Sequence, residues 1–238
     1  MSESVEMRIE RIYSSVRCAI DKDFEKFKPK VVSTKTIHGF YQDFRGGMSD
    51  ADLSNAAGII LHNIASLEDH LRKWSNRLLK NPIHVHFLIR LRKLSLREIT
   101  SGFSRNWLFQ QPAKANGKDE SVISDAFKSK NLSIIKDLCN NDKHGYPPRN
   151  GYSGKKPRLE SIERVARLTT PPGGGSTTMF MQGGQFKVSG NPPVVVITGN
   201  VVDGEGRRLG DLHDLIVASL TELELILNQL GVTGEKNG

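Results

Sequence analysis

Residues 50–78 read DADLSNAAGIILHNIASLEDHLRKWSNRL and form the clearest helical pattern in the chain. Its apolar side chains recur at alternating steps of four and three residues. That spacing places them on one face of a helix of about seven turns, which has to pack along other helices. Ser49 or Asp50 is placed to cap the N-terminus, and Pro82 ends the helix. The apolar stripe comprises Leu53, Ala57, Ile60, Ile64, Leu67, Leu71, Trp74 and Leu78.

Patterns typical of helices and strands also occur in the rest of the chain. Residues 4–28, 121–140 and 211–230 carry helical apolar patterns, and residues 159–168, 177–188 and 194–202 are rich in strand formers separated by Gly and Pro turns. Residues 83–100 fit a strand or a helix, and their length favours a helix. We therefore predict a mainly α fold, a helical bundle with a small antiparallel β-sheet inserted before the C-terminal helix. The predicted layout is a single domain over 1–238, with the bundle at 1–150, the β-rich insertion at 151–208, a closing helix at 209–231 and a flexible tail at 232–238.

Composition excludes several classes of protein. The 238 residues are 25% charged and 37% hydrophobic, which is typical of a soluble globular chain. No apolar run is long enough for a membrane helix, and the N-terminus lacks the apolar core of a signal peptide. Cys18 and Cys139 are interpreted as reduced core thiols, so we expect a cytoplasmic protein. The chain has no P-loop, dinucleotide-binding, zinc-protease or nucleophile-elbow motif.

The positive charge is concentrated in one segment. The net charge of the chain is +8, and residues 71–108 alone carry nine basic side chains and one acidic one. Residues 151–238 are neutral overall. A basic stripe with an aromatic side chain is typical of a nucleic-acid contact. A solvated face neutralised by acids of the first helix and an acidic protein partner are the alternatives. The expected nucleic-acid contacts are Arg72, Lys73, Arg77, Arg90, Arg92, Lys93, Arg97 and Trp107, the last by stacking on a base.

The first polar motif is LHNIASLEDH at residues 61–70. At about 100° per residue, Asn63 and His70 lie on one edge of the apolar stripe, whereas His62 and Asp69 point toward solvent. Asn63 and His70 either hydrogen-bond a neighbouring helix end or line a polar groove, to which His62 and Asp69 belong as candidates. A metal ion needs three or four ligands, and the helical phase places His62 opposite His70. We therefore expect no metal.

The second polar motif is LCNNDKHG at residues 138–145. It places Asn140 and His144 one helical turn apart, with Asn141 and Lys143 beside them. A histidine that transfers a proton, an amide that orients a phosphate and a cation that stabilises the developing charge together suit phosphodiester cleavage. The same residues also form an ordinary helix C-cap, in which Lys and His contact the last carbonyl groups.

Together the two motifs resemble those of a group of uncharacterised bacterial helical proteins. In that group a Leu-His-Asn string and an Asp-His pair share one helix, and an Asn two residues before a Lys-His pair ends another. A strand segment and a closing helix follow. The matching positions here are Leu61, His62, Asn63, Asp69, His70, Asn141, Lys143 and His144.

More distantly, the chain resembles the HEPN-type helical bundles, many of which are ribonucleases, toxins or defence components. Their signature places an arginine five residues before a histidine, followed by a polar residue. His144 and Asn140 match that signature, but Cys139 stands at the arginine position. A cysteine cannot supply the phosphate-binding cation. Either Lys143 or a basic residue of 71–108 replaces the arginine, or the site is not a nuclease.

The function expected from these observations is contact with RNA or another nucleic acid by a HEPN-like bacterial protein. It would be a metal-independent ribonuclease of a defence or toxin–antitoxin system, with His144 as acid and base. Asn140 or Asn141 would orient the phosphate. Lys143, together with Arg72 or Arg77, would neutralise the negative charge of the phosphate. The alternative is a non-catalytic interaction or binding module in which the His and Asn residues are structural. We expect no cofactor and no membrane partner, and the HEPN resemblance implies a homodimer.

Overall fold

The computed structural model describes residues 5–27, 30–33, 38–80, 90–93, 105–109, 123–125, 127–147, 151–167, 178–182, 185–190, 193–229 and 232–235. The helices in these residues are α1 (Val5–Cys18), α2 (Asp50–Ala65), α3 (Leu67–Lys80), α4 (Lys130–His144) and α5 (Leu212–Gln229). The strands are β1 (Ile20–Asp21), β2 (Lys30–Ser33), β3 (His38–Tyr41), β4 (Arg90–Lys93), β5 (Arg105–Phe109), β6 (Arg158–Arg167), β7 (Thr178–Gln182), β8 (Gln185–Ser189), β9 (Val194–Val202), β10 (Arg208–Asp211) and β11 (Val232–Glu235). Within the described residues, no helix is long and apolar enough to cross a membrane.

The predicted long helix is confirmed as α2 and α3, which meet at Ser66. Ser49 is its N-cap: the Ser49 hydroxyl accepts from the Asp52 amide at 3.2 Å, and the Asp52 carboxylate accepts from the Ser49 amide at 2.8 Å. This reciprocal capping box satisfies two amide donors that the first turn leaves unpaired. The apolar stripe from Leu53 to Leu71 is buried against α1, α4 and the main sheet.

The main sheet has four antiparallel strands with β9 at its centre. β6 pairs with β9 along one side, and β1 and β10 pair with it along the other. Val195 and Val201 of β9 are completely buried. β5 lies between β4 and β11 in a separate three-stranded sheet, and two hairpins, β2–β3 and β7–β8, complete the described strands.

The prediction of a mainly α, HEPN-like bundle with an inserted sheet is wrong. β1 belongs to the main sheet although it precedes α2 in the chain, so this sheet is not an insertion before the last helix. Ile197 and Val201 of β9 lie in the same hydrophobic core as α1, α2, α4 and α5. Helices packed on an antiparallel sheet around one shared core form an α+β architecture.

Three local predictions also need correction. The first helix ends at Cys18 and not near residue 28, because the chain turns into β1, and Phe24 and Phe27 then pack on Val195. Cys18 is exposed, so it is not a core thiol, although neither cysteine forms a disulfide. In the segment 83–100, predicted as a helix, the described residues Arg90–Lys93 form a strand. The remainder of that segment lies outside the described residues.

Candidate functional site

The first polar motif spans the end of α2 and the start of α3, and the second lies on α4, which packs beside α2. His62 projects toward α4, where its Nδ1 atom lies 4.0 Å from the Cys139 Sγ atom. Asn63, the next residue, lies about 100° further around the helix and contacts α1. The helical phase therefore divides the first motif between two neighbours of α2.

Asn63 and His70 hold one arginine of α1. The Asn63 Oδ1 atom accepts a hydrogen bond from Arg8 Nη1 at 3.4 Å, and His70 Nε2 lies 2.9 Å from Arg8 Nη2. Because a guanidinium group only donates, His70 is in the tautomer whose Nε2 carries no proton. Asn63 is 4% exposed and Arg8 is 8% exposed. The hydrogen-bonding interpretation of this pair is thus correct, and its partner is a helix side rather than a helix end.

Arg8 is absent from the sequence prediction, although a signal for it exists. It falls at the edge of the buried face of α1, about 60° from Val5 and about 40° from Ile12 in helical phase. A charged residue in that position needs a polar partner across the interface. Asn63 and His70, at the polar edge of the long stripe, supply that partner.

Asn141 and Asp137 attach α4 to the loop that leads into β6. The Asn141 amide donates to the carbonyl oxygen of Pro157. Asp137 is completely buried and accepts from the amides of Tyr152 at 2.7 Å and Ser153 at 2.9 Å. The Ser153 hydroxyl donates to the same carboxylate. Asn141, a predicted phosphate ligand, is therefore engaged in a structural contact.

A polar pocket of about 330 Å³ opens between α3 and α4. It brings together four residues that the sequence singled out: Asp69, Arg72, Asn140 and Lys143. Segments about seventy residues apart in the chain thereby share one surface. We call this cavity the polar pocket; it is lined by Ala65, Ser66, Glu68, Asp69, Arg72, Lys136, Cys139, Asn140, Lys143 and Tyr152.

Glu68 organises the cations of the polar pocket. Its carboxylate, 5% exposed, accepts from Arg72 at 2.5 Å and also pairs with Lys136. The Lys136 ammonium lies 3.6 Å from the centre of the Tyr152 ring, a cation–π geometry. Glu68 and Lys136 were not predicted. The signal for Glu68 was an acid beside the buried stripe with Arg72 four residues later.

Two ionisable groups between α2 and α4, Cys139 and His62, have shifted pKa values that limit their chemistry. Burial raises the pKa of the Cys139 thiol, with Lys143 opposing that change. A thiol of this kind is a poor nucleophile at neutral pH. Burial also lowers the pKa of His62, and the nearby cations Lys143, Arg8 and Arg11 lower it further, against Asp142. His62 is therefore neutral at pH 7 in the folded protein.

His144 ends α4 and is exposed to solvent. The following residue, Gly145, has φ of 81°, and its amide donates to the Asn141 carbonyl at 2.9 Å. The helix predicted at 121–140 therefore starts and ends later than predicted, at Lys130 and His144. Lys143 lines the polar pocket, but His144 is not among the described residues that line it. The predicted catalytic residues are therefore divided: Asn140 and Lys143 face the pocket, while Asn141 faces β6.

The basic segment is described only in part. Arg72 is half-buried in the polar pocket and Lys73 is exposed. Trp107, expected near a loop, lies in β5, the middle strand of its sheet, opposite Leu91 and Gly234 in the register. Arg97, and the side chains of Arg77, Arg90, Arg92, Lys93 and Trp107, lie outside the described residues.

Metal ligands and similarity to known proteins add no further constraint. The described residues contain no group of three or more His, Cys, Asp or Glu side chains able to hold a metal ion. No protein-family model matches the chain, and no curated protein or solved structure shows significant similarity to it. The relationship to the bacterial helical group therefore stays a prediction that rests on eight residues.

Proposed function

We propose that this protein binds single-stranded nucleic acid, with RNA the expected form, and that the polar pocket is part of the contact surface. The observation that carries the proposal is the meeting of Arg72, the first cation of the basic segment, with Asn140 and Lys143 of the second motif. Phosphate groups are commonly bound by such a combination of cations and amide donors. A concave pocket suits one nucleotide of a flexible strand.

The charges in the pocket favour an anion. Three cations, Arg72, Lys136 and Lys143, face two carboxylates, Glu68 and Asp69, which leaves an excess of one positive charge. Glu68 holds two of the cations in position, whereas Lys143 is exposed. A phosphate would therefore meet Lys143 first, and Arg72 and Lys136 would be oriented behind it.

The other motif residues support a binding role without cleavage. Asn63 and His70 hold Arg8, and Asn141 holds the loop before β6. Cys139, at the position of the signature arginine, is a buried neutral thiol. Asn63, His70 and Asn141 therefore hold the helices and the loop together without taking part in any catalytic step.

Ribonuclease activity is the second candidate, and one observation favours it. His144 is exposed one helical turn after Asn140 and directly follows Lys143. A strand bound at the pocket would pass within reach of its imidazole. His144 would then remove a proton from a ribose 2′-hydroxyl or donate one to the leaving oxygen, while Lys143 stabilises the phosphorane charge.

Binding is tested with a fluorescein-labelled single-stranded RNA and fluorescence anisotropy. We expect Lys143→Gln to weaken binding about fivefold, because one charge-assisted contact at a solvated site contributes about 1 kcal/mol. Lys187→Gln is the matched control, since Lys187 is an exposed lysine of β8, outside the helical surface. Equal affinity of the two variants would remove the pocket from the contact surface.

Cleavage is tested separately by incubating wild type and His144→Ala with total RNA and EDTA. A binding protein leaves the RNA intact in both reactions. Cleavage by the wild type that His144→Ala abolishes, with an unchanged melting temperature, would instead establish the ribonuclease. A role in defence or toxin–antitoxin systems, a cytoplasmic location and a homodimer stay predictions.

A further inference from the structure

A second cavity, of about 920 Å³, runs along α1 and α2 and is also lined by Asp142 of α4. We call it the α1–α2 groove. Small side chains on both helices leave it open, among them Ser14 and Ser15 of α1 and Ser54 and Gly58 of α2. A Cβ atom at Gly58 would meet only Asp142 Oδ2, at 3.6 Å. The space is therefore a consequence of residue size, and it falls in the range of small-molecule sites.

The two ends of the groove differ in polarity. Arg8 near the start of α1 contacts Asn63 near the end of α2, so the two helices run antiparallel. One end of the groove is thus formed by Arg11, His62 and Asn63. The other end and the rim are apolar, with Ala19, Met48, Ile59 and Ile197; Ile59 is 56% exposed.

The polar end contains an amide group that can donate to a ligand. Asn63 lines the groove, and its Oδ1 atom accepts a hydrogen bond from Arg8. Its Nδ2 atom makes no hydrogen bond with any described residue, and it is not one of the buried polar atoms that lack a partner. An acceptor atom of a ligand at this end would accept a hydrogen bond from Nδ2.

Three cations and one acid surround the polar end. Arg8, Arg11 and Lys143 lie close enough to His62 to lower its pKa, whereas Asp142 opposes them. Of these four groups, Arg11 and Asp142 line the groove itself. An anion placed beside His62 would be attracted by the net positive charge and would accept from the Asn63 amide. Among the described residues that line the groove, the remaining charged side chain is Arg164, whose guanidinium pairs with Asp21 at 3.2 Å.

We propose that the α1–α2 groove binds a small amphipathic anion, with a carboxylate or phosphate head group at Arg11, His62 and Asn63 and an apolar body along Ile59, Met48 and Ile197. The wall from Ser54 to His62 is about 12 Å long at the helical rise per residue. A medium-length alkyl chain matches that length. This site is separate from the polar pocket, and the proposal does not depend on RNA binding.

The ligand class is tested by NMR titration of the full-length protein with octanoate, octyl phosphate and octanol. We expect at least one of the two anions to bind at least tenfold more tightly than octanol, and the preferred anion identifies the head group. The pKa of His62 should rise on binding, because the anion offsets the surrounding cations. Equal binding of octanol, or no binding of either anion, would overturn the proposal.

The location is tested with Gly58→Leu, which extends a side chain into the groove. Leucine favours helix more than glycine does, and the first added atom has room, so the variant should fold. We expect it to bind the preferred anion at least tenfold more weakly. Thr221→Leu, which adds similar apolar volume on the exposed face of α5, should bind as the wild type does.

Two outcomes of the Gly58→Leu experiment contradict the proposal. Unchanged anion binding in the folded variant would locate the ligand elsewhere. A wild type that is dimeric and a Gly58→Leu protein that is monomeric, measured by light scattering, would show that a second copy of the chain occupies the groove. RNA affinity should be the same in both proteins, which separates this test from that of the polar pocket.

Discussion

Replacing Glu68 by glutamine should lower the stability of the protein and at the same time raise its affinity for RNA. Glu68 is almost completely buried, and its carboxylate pairs with both Arg72 and Lys136. The substitution keeps the shape of the side chain and removes its charge. Two cations that the carboxylate held then face the polar pocket with one fewer negative charge beside them.

The expected loss of stability follows from the burial of the pair. Removing one partner of a buried ion pair costs about 3–5 kcal/mol. Here the Arg72 side chain is 35% exposed and Lys136 keeps its contact with the Tyr152 ring at 3.6 Å, so the lower end of the range applies. A loss of about 3 kcal/mol lowers the melting temperature of a chain of this length by about 6–12 °C.

The expected gain in affinity follows from Coulomb's law. A phosphate about 7 Å from the lost carboxylate gains about 0.6 kcal/mol even at the dielectric constant of water, which is about a threefold lower Kd. Urea unfolding measures the first effect, and anisotropy with labelled single-stranded RNA, below the melting temperature, measures the second. Asp125→Asn is the control: Asp125 is exposed and its pair with Lys128 lies on the surface.

Each half of this prediction can fail separately. A change in unfolding free energy below about 0.5 kcal/mol, no larger than that of an exposed charge, would refute the buried pair. Weaker RNA binding by a folded Glu68→Gln protein would refute the role of the pocket as the anion contact. For Asp125→Asn we expect less than about 1 kcal/mol and no change in affinity.

Three other variants test the fold and its pH dependence. Ser49→Ala should lose about 1 kcal/mol in urea unfolding because the capping box at α2 is lost, and an unchanged midpoint would contradict the cap. Asp137→Asn should lose about 3 kcal/mol, since three donors lose a charged acceptor, and wild-type stability would show that they do not depend on the charge. Burial, aided by Arg167, lowers the pKa of His213 below its ordinary 6.5, so the unfolded chain binds more protons and stability should fall as pH drops below about 6.5. His213→Gln should flatten that decline between pH 7.5 and 5.5, and an identical decline in the variant would exclude His213 as its source.

The elements predicted correctly from the sequence are those whose sequence signals lie within the element itself. The stripe from Leu53 to Leu71 and the cap at Ser49 lie within a single element, and both agree with the structure. The two-residue strand β1 is different, because Ile20 and Asp21 form a strand only by pairing with Val195 and Val196. Pairing between such distant segments leaves no local pattern, and so the sheet was mistaken for an insertion.

The candidate site likewise combines features that have a local sequence signal with features that depend on distant parts of the chain. Helical phase correctly placed Asn63 and His70 on one edge of the stripe, but their partner Arg8 lies 55 residues from Asn63 in the chain. The polar pocket depends on how closely α3 approaches α4. The helical phase of the side chains does not determine the distance between two helices. Glu68 and Lys136 pair across that interface and were therefore missed.

The salt dependence of RNA affinity shows whether the helical surface around the polar pocket contacts nucleic acid. The double variant Lys73→Gln, Lys143→Gln removes two exposed cations, and Lys187→Gln serves as the control. For a single strand, each lost phosphate contact reduces the slope of log affinity against log salt by about 0.7. We expect a slope lower by about 1.4 in the double variant and unchanged in the control. An unchanged slope in the double variant would show that this surface does not contact the RNA.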